Sequence, residues 1–275
     1  MNSKHSVVML ISCYKNDTID NLRTMFQSLV TQTFQDFDIF VQQDGPLSDD
    51  VENYLDTLLH SGKIMYVGKR SRNMGLAFSL NELVNQAMKS GYKYLVRMDA
   101  DDICLPQRLK LQFEFMESHK NIDVVGSWML EFHEDAGVEQ IVRYPEQHEE
   151  IFSFMKKRCP MAHMTVFFRR TFFEKAGLYP TDTILNEDSA LWFNGFKSGC
   201  IFHNLEMPLV KVRVNSNFYQ RRSGLKKAIY DFKLKAKISK EFSFGLKGYF
   251  YALAYSILLL LPPRYKKMCY THLRE

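Results

Sequence analysis

The first hundred residues alternate between two hydrophobic patterns. Ser6 to Ser12 (SVVMLIS) is a continuous apolar run of strand length, as in a strand covered on both faces. Leu22, Phe26, Leu29 and Val30 then recur at helical spacing. Asp38 to Gln43 (DIFVQQ) predicts a second strand, stopped by the turn Asp44-Gly45-Pro46. Val51 to Leu59 predicts a helix and Ile64 to Val67 a third, short strand. Gly75 to Lys89 predicts a helix with Leu76, Leu80, Leu83, Val84 and Ala87 on its stripe, and Lys93 to Met98 a fourth strand. Strands alternating with helices in this way indicate βαβ units, an α/β class and a mostly parallel sheet flanked by helices. Ligands of such sheets sit beyond the carboxyl ends of the strands. Three unusual pieces fall there: Cys13-Tyr14, Asp44-Gly45 and Asp99 to Asp102.

The second half is less regular. Pro106 to His119 predicts an amphipathic helix with Leu109, Phe113 and Met116 on one stripe. Ile122 to Leu130 and Val138 to Val142 predict two strands of a hairpin-like insert. Gln147 to Arg158 reads as helical, Met164 to Phe168 as a strand and Asp188 to Ser198 as a helix rich in large apolar residues.

Charge divides the chain. The net charge is +5 over 275 residues, yet Leu205 to Glu275 holds 15 Lys+Arg against 4 Asp+Glu, a net of +11, which leaves −6 on the rest. An acidic body with a basic tail points to an anionic partner such as a membrane surface, nucleic acid or phosphates. Within the tail, Tyr249 to Leu261 is nearly all apolar and ends at Pro262-Pro263. It is shorter than the ~20 residues that span a bilayer. Flanked by Lys247, Arg264, Lys266 and Lys267, it predicts an interfacial helix on an anionic leaflet, with a buried core helix as the other reading. Five scattered cysteines without a C-x-x-C pair argue against a disulfide framework or a zinc site and for a reducing compartment. The amino terminus runs straight into the first strand without a signal-peptide pattern.

Asp99, Asp101 and Asp102 put three carboxylates into four residues directly after an apolar strand. Such acids repel one another and cannot lie unpaired in an apolar core. A divalent cation carrying phosphate oxygens would gather them; a solvated acidic loop before the helix near Pro106 would also tolerate them.

Taken together, Ser6 to Tyr14, Phe34 to Leu47 (FQDFDIFVQQDGPL), Arg72 to Glu82 (RNMGLAFSLNE), Tyr94 to Arg108 (YLVRMDADDICLPQR) and Asn186 to Trp192 (NEDSALW) resemble the family 2 glycosyltransferases. The pieces keep that family's order across roughly the first 215 residues. Met161 to Arg170 and Val212 to Gly224 look most like the subgroup that adds hexoses in bacterial O-antigen, capsule or exopolysaccharide assembly. The resemblance implies a GT-A fold, a Rossmann-like sheet. It divides the chain into a glycosyltransferase domain over 1–215, with a nucleotide-binding half (1–104) and an acceptor-binding half (105–215), and a basic, helical, membrane-associating extension over 216–275.

The resemblance also assigns roles. Asp99-Ala100-Asp101 occupies the D-x-D position, where Asp99 and Asp101 would hold Mn2+ or Mg2+ against a UDP-sugar's diphosphate, Asp102 supporting them. Asp44 stands where the family contacts uracil, with Gln43 replacing the usual first acid of a pair, and Ser12 and Tyr14 would line the nucleobase pocket. Arg72, Asn73 and Gly75 precede a helix whose amides suit a polar or anionic donor group, with Arg70 a weaker candidate. Arg97, inside a strand, requires a nearby acid. Asp188 would be the catalytic base and Glu187 would orient the acceptor, while His163 stands near the acceptor cleft. Arg213, Tyr219, Arg221 and Arg222 resemble the loop after the base helix and would meet a diphosphate or form a solvated basic face.

The implied activity is inverting, metal-dependent transfer of a hexose, glucose or galactose, from a UDP-sugar to a polyprenyl-diphosphate-linked saccharide at the inner face of the bacterial plasma membrane, with no nucleic-acid partner. Two other readings compete. A non-catalytic membrane- or nucleic-acid-docking module leaves the acidic cluster unexplained. A sugar nucleotidyltransferase would want a glycine-rich phosphate loop after the first strand, and Cys13 to Asp17 holds no glycine.

Overall fold

The computed structural model of the protein describes residues 5–133, 137–183, 185–214, 223–262 and 265–266. Four strands form one half of its sheet: β1 (Val7–Cys13), β2 (Phe37–Gln43), β3 (Tyr66–Gly68) and β4 (Tyr94–Asp99). They stand in the order β3-β2-β1-β4 and all run parallel. Between them lie α1 (Ile19–Val30), α2 (Asp49–His60) and α3 (Leu76–Lys89). The strand alternation sorts side chains into two cores. Val7, Met9 and Ile11 of β1 pack with Leu22, Met25 and Leu29 of α1 and Leu55 of α2. Val8 and Leu10 face the other way, onto Leu80, Leu83 and Val84 of α3. Burying each such side chain contributes roughly 1.5–3 kcal/mol, so the period-2 and period-3.6 patterns together fix the layering.

The other half of the sheet departs from the parallel pattern. After β5 (Ile103–Cys104) and α4 (Arg108–Ser118) come β6 (Val124–His133), β7 (Val138–Val142), α5 (His148–Phe154), a 3-10 turn (His163–Thr165), β8 (Phe167–Arg169), α6 (Arg170–Ala176), α7 (Glu187–Lys197) and β9 (Phe202–Arg213). Beyond β4 the order is β8-β6-β9-β5, with β8 antiparallel to both β4 and β6, β9 parallel to β6, and β5 antiparallel to β9. The sheet is therefore mixed. The expected hairpin exists, since β7 pairs antiparallel with β6. It is not an insert, because β6 is also a central strand of the main sheet. The predicted strand over Met164 to Phe168 starts later, because the 3-10 turn takes up His163–Thr165. The predicted helix over Gln147 to Arg158 is only the seven-residue α5.

Two helices follow, α8 (Leu225–Glu241) and α9 (Gly245–Leu260), packed as a hairpin. Gly248 lets them approach: a Cβ there would lie 2.5 Å from the Ser239 hydroxyl oxygen. Gly248, Ala252 and Ser256 of α9 are buried at four-residue spacing. The opposite stripe is apolar and open: Leu246 is 89% exposed, Phe250 66%, Leu253 52% and Ile257 52%. Helix α8 buries Lys227 and Asp231 beside Ala228 and Ile238, and exposes Leu225, Ile229 and Phe232. No described helix is long and apolar enough to cross a membrane.

Candidate active site

Parallel pairing aligns the carboxyl ends of β1, β2 and β4. Ser12 stands in register with Asp99 on one side and Gln42 on the other, and Cys13 with Gln43. The acidic cluster thus begins next to the half-buried Ser12. Asp99, Asp101 and Asp102 can bring one carboxylate oxygen each within 4.8 Å of one another. Ala100 turns into the core, which leaves its neighbours on the site side. Asp102 is 2% exposed. Its Oδ1 accepts the Arg213 amide at 2.9 Å, and its Oδ2 has no hydrogen-bond partner among the described residues. Burial pushes the Asp102 carboxyl well above the ordinary range, and the charges of Asp99 and Asp101 push it further. A buried, unpartnered oxygen beside two more carboxylates is an oxygen-only donor set of the kind that suits Mg2+ or Mn2+.

Arginines complete the surroundings. Arg97, buried inside β4, finds its acid in Asp99, with which its Nη2 forms an ion pair. Arg213 ends β9 rather than lying in a loop. Pairing of β5 with β9 carries it to the acidic turn, where its Nε donates to the Asp101 carbonyl at 3.1 Å. Tyr219, Arg221 and Arg222 fall outside the described residues.

At the end of β2, Asp44 has a definite intramolecular task. Its Oδ1 accepts the Met74 amide at 2.8 Å and Arg70 Nη1 at 2.7 Å, and its Oδ2 accepts the Gly75 amide at 2.8 Å. Asn73 Nδ2 donates to the Asp44 carbonyl at 3.2 Å. The positive end of α3 therefore already holds an anion, the Asp44 carboxylate. Gly75 takes φ +99, and Gly45 at φ +90 lies so near this loop that a Cβ would sit 2.7 Å from the Asn73 nitrogen. Arg70, the weaker candidate in the sequence, is the arginine that reaches Asp44; it also pairs with Glu82 at 2.8 Å, whereas Arg72 is exposed. Tyr14 is half-buried, and its amide donates to Asp17 Oδ2 at 2.8 Å.

Glu187 and Asp188 open α7, where the helix dipole favours carboxylates. Asp188 Oδ1 accepts the Ser189 amide at 2.6 Å, and Oδ2 lies 3.4 Å from the Cys159 sulfur. Burial, and then the Asp188 charge, raise the Glu187 carboxyl. Near both this pair and the acidic cluster lies Tyr179, which the sequence did not single out. Burial raises its hydroxyl, and Glu187, Asp188 and Asp99 all act on it. Tyr179 and His163 Nε2 are 2.9 Å apart. Burial, and then Arg97, hold His163 well below its ordinary value, so the imidazole is neutral and shares one hydrogen bond with the tyrosine hydroxyl. Two bonds to Asn81 fix the Tyr179 backbone: Tyr179 N to Oδ1 at 2.8 Å and Asn81 Nδ2 to the Tyr179 carbonyl at 2.9 Å. A single tyrosine between Leu178 and Pro180 carries no periodic or motif signal that would have revealed it.

Comparison with known proteins identifies the family and the fold. Residues 9–177 match the model of the family described as glycosyl transferase family 2. The amylovoran biosynthesis glycosyltransferase AmsE of Erwinia amylovora is 30% identical over 95% of this chain and 97% of its own. An Escherichia coli UDP-Gal:alpha-D-GlcNAc-diphosphoundecaprenol beta-1,3-galactosyltransferase is 29% identical over 84% of this chain and 81% of its own. The crystal structure of Staphylococcus aureus TarS 1-349 in complex with UDP-GlcNAc superposes with a TM-score of 0.62 at 17% identity, covering 93% of this chain and 82% of that one, so the two share a fold. The chain belongs to glycosyl transferase family 2 and is a glycosyltransferase with a mixed α/β fold of the GT-A type.

Proposed function

We propose that the protein transfers a hexose, glucose or galactose, with inversion from a UDP-sugar to a hydroxyl of a saccharide carried on a polyprenyl diphosphate. The carrying observation is the acidic cluster: three carboxylates within 4.8 Å, one with a buried, unpartnered oxygen, close enough to Glu187-Asp188 that both groups act on Tyr179. Asp99, Asp101 and Asp102 would hold the divalent cation, which, when bound, offsets the charge growing on the departing diphosphate. Asp188 accepts the acceptor hydroxyl's proton as that oxygen bonds to the anomeric carbon and the bond to the UDP oxygen breaks. Glu187 and the Tyr179–His163 pair line the acceptor side. Ser12, Tyr14 and the loop that Asp44 holds border the nucleotide. The lipid-linked acceptor and the place in polysaccharide assembly follow the similar AmsE and galactosyltransferase.

The basic hairpin supplies the membrane contact in this reading. The exposed apolar stripe of α9 enters the interface while Lys226, Lys233, Lys237, Lys240 and Lys247, all exposed, meet anionic lipid. Domain limits at 1–215 and 216–275 belong to the same proposal.

The test is a panel of α-linked UDP-hexoses with a GlcNAc-diphospholipid acceptor, read by NMR of the product linkage. A β-linked product supports the reading. An α-linked product, or no transfer from any UDP-hexose with Mg2+ or Mn2+ present, contradicts it.

A further inference from the structure

The C-terminal hairpin reaches the base-bearing end of α7 through one side chain. Lys227 of α8 is 7% exposed. Its Nζ donates to the Leu185 carbonyl at 2.8 Å and to Asn186 Oδ1 at 2.7 Å. It also forms an ion pair with the Asp231 carboxylate four residues on, at 2.7 Å. A buried ammonium demands such partners. Its choice of partners is informative.

Asn186 is the residue at which α7 begins, the place where an asparagine oxygen ordinarily accepts one of the helix's free amides. Its side chain makes no such bond. Oδ1 is given to Lys227 instead. The preceding residue, Leu185, takes φ +51, a left-handed conformation rare for a side-chain-bearing residue, and the same ammonium holds its carbonyl. The next two residues are Glu187 and Asp188. Lys235 of α8 lies close enough to feel the charges of Asp231 and Asp188. Helix α8 thus replaces a local cap with a tether from a distant element, at the turn that aims both carboxylates.

We propose that Lys227 is a positioning residue for the transfer step: by holding Leu185 and Asn186 it sets the orientation of Glu187 and Asp188, making the C-terminal hairpin part of the catalytic apparatus. This rests on the reading of Asp188 as the base. A misplacement of a base by an ångström costs up to about a hundredfold in rate while leaving donor binding intact.

The experiment compares Asn186→Ala, which removes the side-chain half of the tether and leaves the Leu185 bond and the Lys227–Asp231 pair in place, with Lys227→Met/Asp231→Asn, which removes the whole tether without stranding a buried carboxylate. Three quantities are read in the full-length protein with Mg2+: turnover of UDP-galactose onto a GlcNAc-diphospholipid, UDP affinity by calorimetry, and hydrogen exchange of the 185–190 segment. The expected result for both variants is a kcat about tenfold or more lower, UDP affinity within about twofold of wild type, and faster exchange at 185–190 than in the rest of α7. Unchanged exchange in that segment, turnover within about twofold, or a fall in UDP affinity that matches the fall in kcat overturns the proposal. Asp188→Asn is run alongside. If it is inactive while both tether variants turn over normally, the tether fails and the base stands. If Asp188→Asn transfers normally, the base assignment fails and the catalytic role proposed for Lys227 fails with it.

Discussion

The Asp44 carboxylate accepts the backbone amide of Gly75 at 2.8 Å, across thirty-one positions of sequence. With the bonds from Met74 and Arg70, this makes Asp44 the anchor of the loop between β3 and α3. Asp44→Ala strips that loop of its anion and takes the acceptor from the part-buried amides of Met74 and Gly75. Net hydrogen bonds to a charged group are worth about 1.5–3 kcal/mol each. We expect a stability loss of about 2–4 kcal/mol by urea denaturation and a UDP affinity at least about tenfold weaker by calorimetry. UDP binding at wild-type strength would detach this loop from the nucleotide site.

The acidic cluster predicts metal-linked UDP binding. Wild-type protein should bind UDP more tightly with Mg2+ or Mn2+ than with chelator, by about tenfold or more. Asp101→Asn should erase that difference while retaining the weaker, metal-free binding. The same titration with Asp102→Asn tests whether its buried oxygen belongs to the donor set. A wild-type metal response in Asp101→Asn would remove Asp101 from the site.

His163 predicts a pH dependence of stability. Burial holds it neutral in the fold, while in the unfolded chain it protonates near pH 6.5. Below that pH the unfolded state binds the extra proton, so this group's contribution to stability falls as pH drops, by up to about 1.4 kcal/mol per unit. Denaturation at pH 7.5 and 5.5 should show a steeper loss for wild type than for His163→Gln. Equal slopes would mean that the imidazole protonates in place beside Tyr179.

The exposed stripe on α9 predicts membrane binding separable from folding. Leu246, Phe250, Leu253 and Ile257 make no core, so serine at all four should leave the thermal midpoint within about 2–4 °C. The same variant should lose sedimentation with phosphatidylglycerol vesicles. Wild-type binding should weaken with added salt and on neutral vesicles. Binding that persists in the serine variant would place the membrane contact elsewhere.

How far the sequence disclosed this molecule depends on where the controlling interactions lie. Strands β1, β2 and β4 and helices α1 to α3 are written in local period, because each buries side chains at fixed spacing against its neighbours in the chain. The places of Asp44, Asp99 and Asp101 at strand ends are likewise legible, since acids there stand out against apolar runs, whereas Asp188 enters only through the family resemblance. The central position of β6, the long β9 and the arrival of Arg213 at the acidic turn were not legible, because they depend on pairings between residues a hundred positions apart. Tyr179 and Lys227 were hidden for a related reason. Each acts through one side chain reaching another element, and Lys227 is a charged residue on the inward face of its helix, beside the buried Ala228 and Asp231.

The central claim is that Asp188 takes the proton while the acidic cluster manages the diphosphate. The most direct measurement is rapid-quench single-turnover transfer by Asp188→Asn beside UDP calorimetry on the same preparation. The account predicts UDP affinity within about twofold of wild type and a transfer rate lower by about a hundredfold or more. Transfer at the wild-type rate with normal UDP binding would contradict it.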